Sequence, residues 1–143
     1  MTRPIRIVIA VILDATGRVL VVRKHGSDTF IQPGGKPEPG ESALQALARE
    51  LREELGVDLR RPGAHALGTF EDTAANEPGR RVQGEAFLVE VEGVPAAQAE
   101  IAELAWIPLQ PPHGVKLAPL SGRHVLPAAR RRLGAVQASG GAR

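Results

Sequence analysis

The chain has 143 residues, a formal net charge of +2 and no cysteine. That length fits one domain, and an apolar content of 43% excludes wholesale disorder. The absence of cysteine excludes disulfides, thiolate metal sites and cysteine nucleophiles, and the charge is too small to argue for a nucleic-acid partner, even with Arg130, Arg131 and Arg132 side by side.

Arg3 and Arg6 lead into an apolar run from Ile7 to Leu13. Turn residues follow it instead of a cleavage site, and the run is too short to span a membrane. Residues 5–13 therefore read as a central strand covered on both faces, in a protein expected to be soluble and cytoplasmic. Asp14 to Arg18 reads as a hairpin loop, and Val19 to Arg23 as the returning strand. Thr29 to Gln32 is a short strand ending at Pro33, because the residue before a proline is pushed to an extended conformation.

The spacing predicts a helix over 42–55. Ser42 with Gln45 has the form of a capping box, Leu44, Leu47, Leu51 and Leu55 form an apolar stripe, and Gly56 sits where a terminal glycine belongs. Ala66 to Phe70, Gly84 to Val91 and Leu104 to Ile107 read as strands. Glu71 to Arg81 reads as a long loop, a type of segment that often carries function. Leu126, Ala129 and Leu133 suggest a second helix, with Pro127 obscuring its start. Residues 1–133 form the expected single domain and 134–143 a flexible tail. Strands mixed with two helices point to an α/β sandwich.

The helix over 42–55 concentrates charge. At about 100° per residue, Glu50, Glu53 and Glu54 share one flank, with Glu54 beside the leucine stripe. Two carboxylates about 6 Å apart repel by roughly 3 kcal/mol at an effective dielectric near 20. A hard cation such as Mg²⁺ or Mn²⁺ reverses that balance, since it selects carboxylate, carbonyl and water oxygens. The competing reading is a solvated helix face, with Arg49 and Glu53 as an i, i+4 pair.

The spacing decides between them. Gly35, Glu41, Arg49, Glu50, Leu51, Glu53, Glu54, Gly56 and Val57 follow the order G-x5-E-x7-R-E-U-x-E-E-x-G-U, U being a bulky apolar residue. Chance would produce this somewhere in the chain with a probability on the order of 10⁻⁷. The segment resembles the signature box of the Nudix hydrolases. The resemblance implies an α/β/α sandwich with a mixed central sheet and metal-dependent hydrolysis, with Mg²⁺ or Mn²⁺, of a nucleoside diphosphate linked to another group. It implies that Glu53 and Glu54 ligate metal and that Glu50 is a further ligand or the water-activating base. Gly34 would lend a backbone carbonyl to the metal, Lys36 would meet phosphate oxygens beside Gly35, and Arg49 and Glu41 would orient the helix. The alternative is a silent domain of the same fold that binds a nucleotide or a protein without turnover; three mutually repelling acids argue against it.

Other residues are weighed against plainer roles. Family enzymes often recruit one more glutamate, for which Glu77 is the first expectation and Glu103 the second, against solvated loop acids. Phe70 could stack a base, whereas Trp106 reads as core. Gln32 replaces the bulky apolar residue common in the family and is expected at the rim of the site. His25, His65, His113 and His124 lack metal spacing, and no serine sits in a nucleophile elbow. The expected partner is a small nucleotide or diphosphate, with no membrane and no nucleic acid; the oligomeric state, monomer or homodimer, is left open.

Overall fold

The computed structural model describes residues 3–141, with side chains described through Ala135. Ten elements follow in order: β1 (Ile5–Ile12), β2 (Val19–Lys24), β3 (Phe30–Ile31), β4 (Gly34–Gly35), α1 (Ala43–Leu55), β5 (Asp58–Thr73), β6 (Arg81–Glu92), β7 (Ile101–Ile107), a π-helical turn (Ser121–Val125) and α2 (Leu126–Gly141). The strands form a four-stranded sheet, β4-β1-β6-β5, and a three-stranded sheet, β3-β2-β7. The first is mixed, because β1 runs parallel to β6 and antiparallel to β4. The expected α/β architecture with a mixed sheet is present, with the strands divided between two sheets.

Strand β1 is central and buried on both faces. Alternation sends Val8, Ala10 and Ile12 into one core with Leu47, Leu51 and Leu55 of α1. It sends Ile9 and Val11 into a second core with Leu120, Leu126 and Ala129. One continuous apolar strand thus serves the helices on both sides. The turn after it is held by Asp14, whose Oδ1 accepts from the backbone of Thr16 and Arg18, at 2.9 Å each. The strands it joins do not form a hairpin ladder. They meet at a single Leu13–Val19 bridge and then separate into different sheets.

Helix α1 follows its sequence signals. Ser42 caps it, with Ser42 Oγ accepting from Gln45 N–H at 3.1 Å and Gln45 Oε1 accepting from Ser42 N–H at 2.8 Å. Gly56 ends it in the left-handed conformation.

Two further expectations need correction. The strand placed at 66–70 is β5, running from Asp58 to Thr73. Pro62 and Gly63 obscure it, and the ladder tolerates them by shifting register between Arg60 and His65. The long loop placed at 71–81 is shorter, because Glu71, Asp72 and Thr73 pair with Gln83, Val82 and Arg81. The start of the last helix, which Pro127 obscures in the sequence, lies before the proline. Helical geometry begins at residue 119, and a π turn in which Leu126 N–H donates to Ser121 O lies just before the proline, which has no N–H to donate. The expected domain boundary at residue 133 falls inside α2, whose backbone is helical through Gly141. Of the expected tail, residues 142–143 and all side chains beyond 135 lie outside the described residues. No described helix is long and apolar enough to cross a membrane.

Candidate active site

Strand β4 lies against β1, with Gly34 opposite Ile9 and Gly35 opposite Val8. A Cβ at residue 34 would stand 2.0 Å from Val8 O, and its φ of 149° also requires glycine. A Cβ at residue 35 would stand 2.6 Å from the Glu50 carboxyl. The two glycines therefore let the loop backbone touch β1 on one side and the carboxylates of α1 on the other.

Those carboxylates sit differently from one another. Glu54 is 2% exposed, and its Oε1 accepts from Gly34 N–H at 3.0 Å. Burial pushes its carboxyl up to about 8, against the opposing pull of the Gly34 hydrogen bond. Glu50 is half-buried, and burial raises its pKa as well, opposed by Arg49. Glu53 points outward, its side chain 55% exposed and 3.4 Å from Arg49. The shared flank read from the sequence thus becomes a graded series from core to solvent.

Arg49 is the hub of the site. Its guanidinium grips Glu41 with two bonds of 2.8 and 2.9 Å. It also donates to Glu50 at 3.0 Å and to Lys36 O at 3.1 Å. This fork ties the loop, the cap and the acidic flank into one unit. Hydrogen bonds from Arg49 hold the Glu41 carboxyl down at about 2.

Glu50, Gly35 and Lys36 open onto a cavity of about 380 Å³ at the N-terminal end of β1. Lys24, Glu77 and Glu100 also line it, and its apolar wall includes Ile5, Ile31, Val82 and Leu120. Sequence reasoning missed Lys24 and ranked Glu100, one of several spare acids, behind Glu77 and Glu103; Lys24 and Glu100 stand 3.6 Å apart. Each lies at a strand edge with no local motif, so only their meeting in the fold marks them. Glu100 adds to the field that raises both Glu50 and Glu54.

Glu77 lines the cavity from the loop after β5. Glu103 does not line it; it pairs with Arg23 at 3.1 Å. Phe70 is also outside, stacked on His124 with ring centres 6.0 Å apart. His124 in turn stands 3.1 Å from the buried Asp72, so it is held in place and is not a free surface histidine. Trp106 packs against the α1-side core. Gln32 is not at a rim: it is 1% exposed, and its Oε1 accepts from Ser121 Oγ at 2.6 Å.

Whether the site suits a divalent cation can be judged from its donors. Among the described residues, no three acidic or histidine side chains form a ready cluster. Mg²⁺, however, commonly takes only one or two carboxylates and completes its shell with water and substrate phosphate. Glu54 and Glu50 offer hard oxygens whose negative charge burial opposes, beside a glycine that keeps the space over Glu50 clear. That donor set fits a hard cation.

The chain is 34% identical over 92 residues to the 8-oxo-dGTP diphosphatase of Proteus vulgaris, covering 61% of this chain and 77% of that one. It is 42% identical over 55 residues to the CTP pyrophosphohydrolase of Escherichia coli, covering 36% and 41%. It matches 37% of the length of the Bacillus subtilis Nudix hydrolase YvcI at 36% identity, with 41% of this chain covered, so it spans under half of these last two relatives. The solution structure of the E. coli ORF135 protein superposes with a TM-score of 0.74 at 30% identity, over 94% of both chains. The family model of the NUDIX domain matches residues 3–129, and the chain belongs to that family.

Proposed function

We propose that this protein hydrolyses a phosphoanhydride bond in a nucleoside diphosphate linked to another group. The observation that carries the reading is the Arg49 hub, which fixes Glu50 over Gly35 at the mouth of a cavity that also holds Lys24 and Lys36. Members of this family typically depend on a divalent metal. Glu54 would hold Mg²⁺ or Mn²⁺ with the Gly34 carbonyl as a further donor, Glu53 would join once its exposed side chain turns in from Arg49, and Glu50 would be either a further ligand or the base; the ion would offset phosphate charge and acidify water.

The chain's own residues supply the remainder. Lys36 and Lys24, both in the cavity lining, bind the phosphate oxygens of the substrate. The aliphatic wall formed by Ile5, Ile31, Val82 and Leu120 excludes water from the bound group. Glu50, held at its Oε1 by Arg49, is the candidate to take the proton from attacking water. Glu77 and Glu100 are the further carboxylates within the cavity that could take that role instead. Glu103, paired with Arg23, loses its place as a candidate.

The test is a panel of nucleoside triphosphates, nucleotide sugars, dinucleoside polyphosphates and ADP-ribose, assayed for phosphate products with Mg²⁺ and with Mn²⁺. Hydrolysis of at least one, abolished by chelation, is expected. Tight binding across the panel with no turnover would favour the silent binding domain instead.

A further inference from the structure

A second cavity, of about 660 Å³, lies at the other end of β1. It is lined by Ile12 and Leu13, whereas the catalytic cavity is lined by Ile5 and Ile7. Ile7 and Ile12 are five residues apart, about 17 Å along an extended strand. Among the described residues, the two cavities share none in their linings.

Its floor is apolar, formed by Leu88, Val91, Trp106 and Leu133. Its polar lining residues, Arg60, His65, Glu90 and Arg132, are all solvent-exposed and so form a rim. The rim carries two arginines and a histidine beside Glu90, with Glu92 also near Arg60. The irregularity in β5 builds this wall. Arg60 pairs with Glu90 and His65 with Leu88, so β5 advances five residues while β6 advances two. The extra length brings Gly63 into the lining together with Arg60 and His65. Arg60 lies only loosely by its acids, 4.0 Å from Glu90 and 3.6 Å from Glu92.

We infer that this cavity is a second ligand site, for a planar aromatic anion of nucleotide size. The volume falls within the range of small-molecule sites, roughly 300–1,000 Å³, and so does the pattern of apolar floor and few polar groups. An indole on the floor offers a face for a ring. Arginines at the rim offer paired donors for a phosphate or carboxylate. An uncharged aromatic ligand would leave the arginines unused, and an inorganic anion would leave the floor exposed. The inference stands on this cavity alone and holds whatever the catalytic cavity hydrolyses.

The chain provides its own reporter. Trp106 is the only tryptophan, there is no tyrosine, and the catalytic cavity contains neither. With EDTA present, AMP, adenosine and inorganic phosphate are titrated separately while indole emission is followed. Saturable quenching is expected with AMP, at least about tenfold tighter than with adenosine and absent with phosphate. Arg132→Glu should weaken it by about tenfold or more. Arg131→Glu, exposed and outside the cavity, and Lys36→Ala should leave it unchanged. No saturable quenching, or quenching that Lys36→Ala weakens and Arg132→Glu does not, would overturn the inference. So would quenching that follows protein concentration together with a doubling of mass in the absence of nucleotide, because the cavity would then be an interface between copies.

Discussion

The two ends of β1 use the same scaffold in opposite ways. At the N-terminal end, charge is drawn inward: Glu54 is 2% exposed, Glu50 is half-buried, and Arg49 is bound into the loop. At the C-terminal end, the charges stay at the rim and the interior is left to leucine, valine and tryptophan. Buried charge is expensive and is kept where chemistry needs it, while rim charge is cheap and selects a ligand without reacting with it. The comparison teaches that size and buried charge part company here, since the larger of the two cavities is the one without a buried acid in its lining.

The contrast breaks first at Glu54. Glu54→Gln can keep the bond from Gly34 N–H, so the fold should survive, while metal-dependent turnover falls by about 10³-fold or more. Stability should move the other way. Glu54 titrates at about 8 in the folded protein against a usual 4.5, so the unfolded chain ionises first and the native state binds more protons between those values. Glu54's contribution to metal-free stability therefore falls as pH rises from about 4.5 to about 8. Glu54→Gln removes that slope. Urea unfolding in EDTA at pH 5 and pH 8.5 checks this; parallel behaviour of both proteins would refute the assignment.

Arg49→Lys keeps the charge and loses the fork. Glu50 then drifts, and kcat should drop by about 10²-fold with little change in KM. A matching rise in KM would mean that Arg49 binds substrate instead of positioning the acid. Lys24→Ala should raise KM by about tenfold, less at high salt, because the lysine is solvent-exposed. Steady-state kinetics at two ionic strengths decides the matter. The smallest effects belong far from the buried acids. Phe70→Leu and Arg132→Glu should each leave kcat/KM within about twofold of the natural protein. A large loss in Phe70→Leu would restore that ring to the site.

Much of the catalytic end was legible because it is local. The capping box, the leucine stripe and the acids all fall within one helix, and α1 forms over Ala43–Leu55 as the spacing predicts. The strand β1 was legible because burial on both faces leaves a continuous apolar run. What escaped was non-local. Lys24 and Glu100 meet only because β2 and β7 pair, and no pattern near either residue announces it. β5 escaped because Pro62 and Gly63 look like a turn, while the ladder absorbs them as an irregularity. Gln32 was misplaced because a polar residue beside a loop reads as exposed, and only Ser121, 89 residues away, accounts for its burial.

That last pair has a further consequence. Gln32 immediately precedes the Pro33-Gly34-Gly35 loop, and Ser121 follows Leu120 in the wall of the catalytic cavity. A purely apolar contact there would tolerate sliding, since dispersion forces have little directional preference. A hydrogen bond of 2.6 Å between two buried side chains permits one offset. The pair acts as a registration pin between distant stretches of chain, so the wall that receives substrate and the glycines that pass close to Glu50 are set against each other before any ligand arrives.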